Sequence, residues 1–125
     1  MTVPIVKDEE TQQPIPTIWR DTIVKIVDAI RFNNIDDFNA IPYVKGVSEK
    51  DAEGFQENIE DYGCRLTNLP DATWQSSTCQ WMREYWDALI DLYTVEEGES
   101  DLALYLRVHE KGQKFEFEVM SIHVG

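Results

Sequence analysis

Two histidines are the residues in this sequence best suited to moving protons near neutral pH. His109 and His123 each fall in an alternating stretch that also carries acidic residues, and a histidine beside a carboxylate can act as a general acid or base. The spacing supplies no nucleophile, no oxyanion donor and no phosphate-binding loop around them. We therefore interpret both as surface or edge-strand side chains and predict that the chain is not an enzyme.

A cluster of carboxylates around a glycine is the best candidate for binding a cation. A hard cation such as Ca²⁺ prefers several oxygen ligands, but the cluster lacks the D-x-[DN]-x-[DN]-G-x₅-E order of the loop that binds calcium well. We interpret it as a solvated acidic turn and expect neither a metal nor a cofactor. The cluster consists of Glu96, Glu97, Glu99 and Asp101.

Cys64 and Cys79 are the only cysteines. Two cysteines do not make the dense framework of a small secreted domain, and their spacing is not that of a zinc site. The first ten residues are polar and acidic after Val6, unlike a secretory leader. We expect two reduced, largely buried thiols in a cytoplasmic protein, with a disulfide as the alternative if the two side chains meet.

The four tryptophans could line a ligand pocket. Trp19 and Trp86 fall on apolar stripes, so we assign them to the core. Trp74, Trp81 and Tyr85 have no such assignment. They support the alternative interpretation of the chain, a small-ligand-binding or enzymatic domain with a pocket lined by Trp and Tyr.

The charge balance limits the partners of the chain. Eleven Lys and Arg stand against 24 Asp and Glu among 125 residues, which gives a net charge of −13. Such a surface repels nucleic acids and anionic membranes, and it attracts basic proteins. Solubility alone is the competing explanation. The sequence has no apolar run of about 18 residues, so we expect no transmembrane helix.

Helical periodicity begins after a proline-containing stretch. Residues 17–32 repeat apolar side chains at helical spacing, which predicts an amphipathic helix. Thr17 can cap its first turn, and the asparagine pair at 33–34 can end it. Residues 1–16 have no sustained period, so we expect an extended or frayed tail before a single domain at 17–125.

A second helix is predicted at residues 48–62. Ser48 followed by Asp51 resembles a capping box, and Gly63 suits a left-handed stop. Few opposite charges are present to pair on the outer face of this helix, which makes that face strongly negative. It carries one base, Lys50, and six acids: Glu49, Asp51, Glu53, Glu57, Glu60 and Asp61.

Strand-like alternation dominates the chain from Trp86 onward. Apolar residues alternate through residues 86–93, 102–109 and 115–124, and glycine-containing turns separate these stretches. Near Met120 the apolar phase shifts by one residue, which indicates a β-bulge. These features predict a three-stranded antiparallel meander.

The order of elements indicates an α+β fold. We predict two N-terminal helices packed on a C-terminal antiparallel sheet, in which the meander can gain one or more extra strands. Cys64–Leu69 alternates and is expected to be a short strand. Residues 74–86 fit a helical face, but a run of hydroxyl residues disfavours a helix interior. The apolar face of the sheet should pack on helix 17–32.

One hairpin carries a resemblance to a known family. The segment DLYTVEEGESDL at 91–102, with Trp86 before it and Ile122–Val124 after it, resembles an uncharacterised bacterial family of small proteins with no assigned function. That resemblance implies no catalytic residues. By size and acidity the chain also resembles immunity proteins of bacterial toxin systems, including contact-dependent growth inhibition, which neutralise a delivered toxin by binding it. The helices-then-meander order is similar to relatives of nuclear transport factor 2, which often enclose a pocket.

Our leading hypothesis is an acidic immunity protein that neutralises a basic, nuclease-type toxin by binding it. Complementary charge would speed association, and apolar anchors would set the lifetime of the complex. We expect the acidic turn and its flanking strand to bind, because two tyrosines can add aromatic anchors there. A homo-oligomer through exposed aromatic side chains is the open alternative. The predicted partner-binding residues are Tyr93, Glu96, Glu97, Glu99, Asp101 and Tyr105.

Overall fold

The computed structural model describes residues 5–124 and has its helices on one side of an antiparallel sheet. Its elements are β1 (Gln13–Pro14), α1 (Thr17–Arg31), α2 (Ile35–Asn39), α3 (Glu49–Tyr62), a 3-10 helix (Asp71–Gln75), β2 (Thr78–Trp81), β3 (Trp86–Thr94), β4 (Gly98–Lys111) and β5 (Lys114–Val124). The five strands lie side by side in sequence order. The predicted α+β class is confirmed. The expected meander corresponds to β3–β5, and β1 and β2 extend it to five strands.

Both predicted long helices form, with one correction at a helix start. Thr17 was expected to cap α1, but it is the first helical residue; Pro16 precedes it, and no side chain caps that end. The Ser48 hydroxyl accepts a hydrogen bond from the Asp51 N–H at 3.1 Å at the start of α3. Gly63 ends α3 with φ at +90°, a left-handed conformation that glycine adopts without strain.

The strand expected at Cys64–Leu69 is replaced by a single bridge. Leu66 pairs with Thr94 at the end of β3, and the rest of the segment has no ladder. In the stretch expected to be a tail, β1 pairs with β2 and Ile15 is buried. Residues 1–4 of that stretch lie outside the described residues.

The core lies between the helices and the inner face of the sheet. Trp19 of α1 packs edge-on against Trp86 of β3, with ring centroids 5.4 Å apart, and also against Phe117 of β5. Both tryptophans are fully buried. The predicted packing of this helix on the sheet is therefore confirmed. The residues that the three long strands contribute to this core are Trp86, Ala88, Ile90, Leu92, Leu102, Leu104, Leu106, Val108, Phe117, Val119 and Ile122.

The predicted bulge is at Met120. Tyr105 pairs with Ser121 and Leu106 with Val119, so Met120 has no partner across the β4–β5 ladder. The extra residue accounts for the shift in apolar phase along β5. The same phase predicted that Val124 faces the core, but its side chain is 55% exposed at the end of the strand.

We call the face of the sheet that points away from the helices the outer face. Loop and helix groups cover the edge of the sheet at β5. Phe117 exchanges backbone hydrogen bonds with Tyr43 and Lys45, both at 2.8 Å. The Asn58 amide of α3 donates to the Ile122 carbonyl at 2.7 Å. Such covering protects an edge strand from pairing with another chain. Across residues 5–124, no helix is long and apolar enough to cross a membrane.

Candidate functional site

The acidic turn joins β3 to β4. Thr94 pairs with Gly98, which leaves a three-residue loop, and Gly98 has φ at +74° as such hairpin loops require. The Thr94 hydroxyl accepts a hydrogen bond from the Glu97 N–H at 3.0 Å. The loop therefore has a defined backbone conformation, which fixes the positions from which its acidic side chains extend.

The Glu96 carboxylate forms hydrogen bonds within the fold. Its carboxylate accepts hydrogen bonds from the Arg65 backbone N–H at 2.8 Å and from the Arg65 Nε at 3.3 Å. The backbone N–H of Arg65 is the main reason that the pKa of Glu96 lies below its ordinary value. Glu96 thus ties the turn to the segment that follows α3.

Glu97 also faces the end of α3. The nearby Glu97 carboxylate is the main reason that the pKa of Tyr62 lies above its ordinary value. The Tyr62 hydroxyl accepts from the Asp101 backbone N–H at 3.1 Å, and the Cys64 Sγ lies 3.6 Å from Glu97 Oε1. Two of the predicted partner-binding carboxylates, Glu96 and Glu97, therefore hold the hairpin against the rest of the fold.

The remaining acids of the turn face solvent. Glu99 and Asp101 are exposed, and neither takes part in an ion pair within the described part of the chain. Half-buried Tyr93 pairs with Glu99 across the hairpin, and Val95 at its tip is 59% exposed. We call Tyr93, Val95, Glu99 and Asp101 the hairpin patch.

Tyr105 lies elsewhere, on the outer face of the sheet. It pairs with Leu89 and stacks on the ring of His123, with centroids 4.1 Å apart. An irregularity separates it from the turn: residues 100–102 of β4 stand opposite only Leu92. The six predicted residues are therefore divided between the turn and a cleft of about 400 Å³ that Tyr105 lines with Arg107.

The two histidines lie on the outer face in separate contacts. His109 is 3.1 Å from the Glu118 carboxylate, and this contact, with a smaller effect of Lys45, lowers the pKa of Glu118. His123 Nδ1 lies 2.9 Å from the Ser121 hydroxyl, a contact that the sequence analysis missed. Among the described residues no carboxylate forms an ion pair with His123, so the Ser–His pair lacks the orienting group of an activated nucleophile.

The aromatic residues of the predicted pocket do not gather around one cavity. The Trp81 ring packs at a tilt against Trp86, with centroids 4.5 Å apart, Trp74 lies against Arg20, and Tyr85 lies under Arg107. The outer-face cleft lies between β2, β3, β4 and β5. A second cleft of about 400 Å³ borders the start of α1. Neither is lined by Trp74, Trp81 or Tyr85. Both cysteines are free thiols, Cys79 buried and Cys64 half-buried.

The outer face of α3 forms the second acidic surface. All six of its carboxylates are exposed, and no ion pair in residues 5–124 includes one of them. We call this surface the α3 stripe. Four of its members, Glu49, Glu53, Glu57 and Glu60, line a groove of about 410 Å³ beside Asn33 and Ile35.

These features define a small two-layer α+β domain with two acidic surfaces and an open sheet face. The chain belongs to the family of the domain of unknown function DUF7668, whose model matches residues 27–125. The match begins within α1 and includes α2, α3 and β2–β5, and it confirms the expected resemblance to an uncharacterised family. No curated protein and no solved structure gives a match.

Proposed function

We propose that this chain is a binding protein for a basic partner protein. The observation that carries the proposal is the lack of compensation within the fold: the carboxylates of the α3 stripe and of the hairpin patch form no ion pairs with the described bases. With a net charge of −13, these surfaces produce a field that attracts a cationic protein and speeds its approach.

The two acidic surfaces have different roles in this proposal. The α3 stripe steers, since its exposed face presents carboxylates but little apolar area that a partner could bury. The hairpin patch holds the partner, because Tyr93, which pairs with Glu99, and the exposed Val95 add apolar contact at the hairpin. Buried apolar anchors usually set the lifetime of a complex, whereas rim charges set its rate of formation.

The specific form of the proposal is an immunity protein that neutralises a nuclease-type toxin. Nucleases bind phosphates in cationic clefts, and an acidic hairpin can occupy such a cleft while offering no phosphodiester to cleave. Glu96 and Glu97 then act as positioning residues, because their contacts with Arg65 and Tyr62 keep the hairpin rigid.

Isolation of the partner tests this proposal. The tagged full chain is used to capture its partner from the native cell, and the identified partner is purified and titrated with the chain while its cleavage of RNA and DNA is followed. We expect a partner of pI above about 9 whose activity falls to zero near one equivalent. An acidic partner would overturn the basic-partner proposal, and undiminished cleavage at saturation would overturn the immunity role.

The small-ligand alternative rests on the outer-face cleft. Tyr105, Arg107 and Asp87 line this cleft of about 400 Å³, a volume within the range of small-molecule sites. A ligand that raises the melting temperature of the chain, and fails to do so after Tyr105→Ala, would favour this alternative. The absence of a shift across a metabolite panel would count against it.

A further inference from the structure

A lysine near the N-terminus occupies a site made of two indole rings and a carboxylate. The Lys7 Nζ lies 5.1 Å from the ring centroid of Trp81 and 5.9 Å from that of Trp86. It also lies 2.9 Å from Glu110 Oε1. Indole faces attract cations through their ring quadrupole, and a carboxylate adds a charge-assisted hydrogen bond. We call Trp81, Trp86 and Glu110 the cation box.

The fold builds the cation box without help from Lys7. Trp81 and Trp86 are partners across the β2–β3 ladder, so both rings lie on the same face of the sheet. Trp86 is fully buried and is held edge-on by Trp19 and by Phe115. Glu110 pairs with Phe115 near the end of β4. A cation that enters the box therefore meets rings that are already in position, which lowers the entropic cost of binding.

The segment that carries Lys7 is attached mainly by side chains. Residues 5–12 form no strand or helix, and within the described chain they make no backbone–backbone hydrogen bond in loops or turns. The Trp86 indole N–H donates to the Val6 carbonyl at 2.9 Å, and Arg83 pairs with Glu9 at 2.8 Å. Segments with few backbone hydrogen bonds open at low free-energy cost. The Lys7 side chain is itself 45% exposed.

We propose that the cation box is a binding site for a lysine side chain of a basic partner, and that Lys7 is its occupant in the free chain. The inference rests on the proposed function for the identity of the partner, but not for the chemistry of the box. Two ring faces and one carboxylate favour an alkylammonium and disfavour any anion. Release of Lys7 would free the box and detach one contact of residues 5–12.

A tethered occupant competes with any ligand added in solution. Lys7 is held near the box at an effective concentration of the order of millimolar or above, so a free lysine side chain binds the wild-type chain weakly. Removal of Lys7 leaves the box empty and removes this competition. The Lys7→Ala variant should therefore bind a lysine analogue about tenfold more tightly than the wild type.

Tryptophan fluorescence gives the test, because two indoles form the box. The full chain is titrated at constant ionic strength with N-acetyl-lysine methylamide, and in parallel with its uncharged analogue N-acetyl-norleucine methylamide. We expect saturable quenching by the lysine analogue in Lys7→Ala, with about tenfold weaker binding by the wild type, and none with the norleucine analogue. The double variant Lys7→Ala with Glu110→Gln should lose this tighter binding of the lysine analogue.

Matched controls separate this site from general effects of charge. Lys25 on α1 is also an exposed lysine, so Lys25→Ala changes the net charge equally and should bind the analogue like the wild type. Equal binding by Lys7→Ala and wild type, or equal binding of both analogues, would overturn the proposal. Because no partner is used, such a failure leaves the basic-partner proposal standing. Unchanged melting temperatures of Lys7→Ala and the double variant exclude unfolding as the cause.

Discussion

Charge reversal at Glu57 should stabilise the fold. Glu57 lies on the α3 stripe with Glu53 four residues before it, Glu60 three residues after it and Asp61 four residues after it. Residues at these spacings are neighbours on a helix surface, so Glu57 repels three carboxylates. No base lies in an ion pair with these groups within residues 5–124. The repulsion is therefore uncompensated.

The size of the effect follows from these three pairs. Each like-charged pair on a helix costs about 0.2–0.5 kcal/mol, so Glu57→Gln should raise the free energy of unfolding by about 1 kcal/mol. Glu57→Lys converts the same pairs to attractions and should add about 1 kcal/mol more. For a domain of this length the Lys variant should melt about 8 °C higher than the wild type at low salt.

Thermal and urea unfolding at two salt concentrations provide the assay. The Debye length falls to about 3 Å in 1 M salt, which is shorter than the spacing of these side chains, so most of the gain should disappear there. Asp28→Lys is the matched control, because Asp28 forms an ion pair with Arg31 at 2.9 Å on α1 and its reversal should destabilise. A Glu57→Lys variant no more stable than the wild type at low salt would refute the idea of an uncompensated stripe.

Three further predictions concern stability and thiol chemistry. Ser77 is buried, and its hydroxyl accepts a hydrogen bond from the Asp91 N–H at 3.0 Å. Ser77→Ala should therefore cost about 1–3 kcal/mol in urea unfolding, and no loss would contradict this role. The contact with His109 lowers the folded-state pKa of Glu118 below its ordinary 4.5. The stabilisation from this contact is fully present above pH 4.5 and is lost as the pH falls through the lowered pKa of Glu118. Glu118→Gln should therefore lose less stability than the wild type below about pH 4.5, and the same loss in both proteins would argue against this role. Burial raises the pKa of Cys79 to about 11, so its alkylation at pH 8 should need unfolding, and rapid labelling of the native chain would show otherwise.

The elements that the sequence predicts well are those with a local signal. Helix α3 has its cap at Ser48, its stop at Gly63 and an apolar stripe between them, all visible in neighbouring residues. The bulge at Met120 was predictable because it shifts the apolar phase of β5. Periodicity of this kind depends on which face is buried and does not require knowledge of the partner strand.

The elements that the sequence misses depend on distant partners. Strand β2 is short, and the Ser77 hydroxyl just before it meets a backbone group 14 residues away. No local pattern marks that contact. Cys64–Leu69 has the alternation of a strand, but only Leu66 finds a partner, at the end of β3. Alternation shows that one face of a segment can be buried, but a strand forms only where a neighbouring strand offers backbone groups along its whole length.

The candidate site shows the same limit. The sequence places the carboxylates of the turn correctly next to one another, but it cannot show that Glu96 bonds to Arg65 or that Glu97 lies near Tyr62. It also cannot show that an irregular ladder separates Tyr105 from the turn. These are tertiary contacts between segments more than 30 residues apart or changes of strand register.

The most direct test of the central claim is the kinetics of partner binding by two charge-matched double variants. Glu99→Lys with Asp101→Lys alters the hairpin patch, and Glu53→Lys with Glu57→Lys alters the α3 stripe, so both change the net charge equally. We predict that the hairpin double raises the dissociation rate about tenfold or more, because it places two lysines against the basic partner, directly at the apolar contact of Tyr93 and Val95. The stripe double should slow association only, and less so as salt rises. Equal slowing of association by both doubles, with dissociation unchanged, would contradict binding through the hairpin patch.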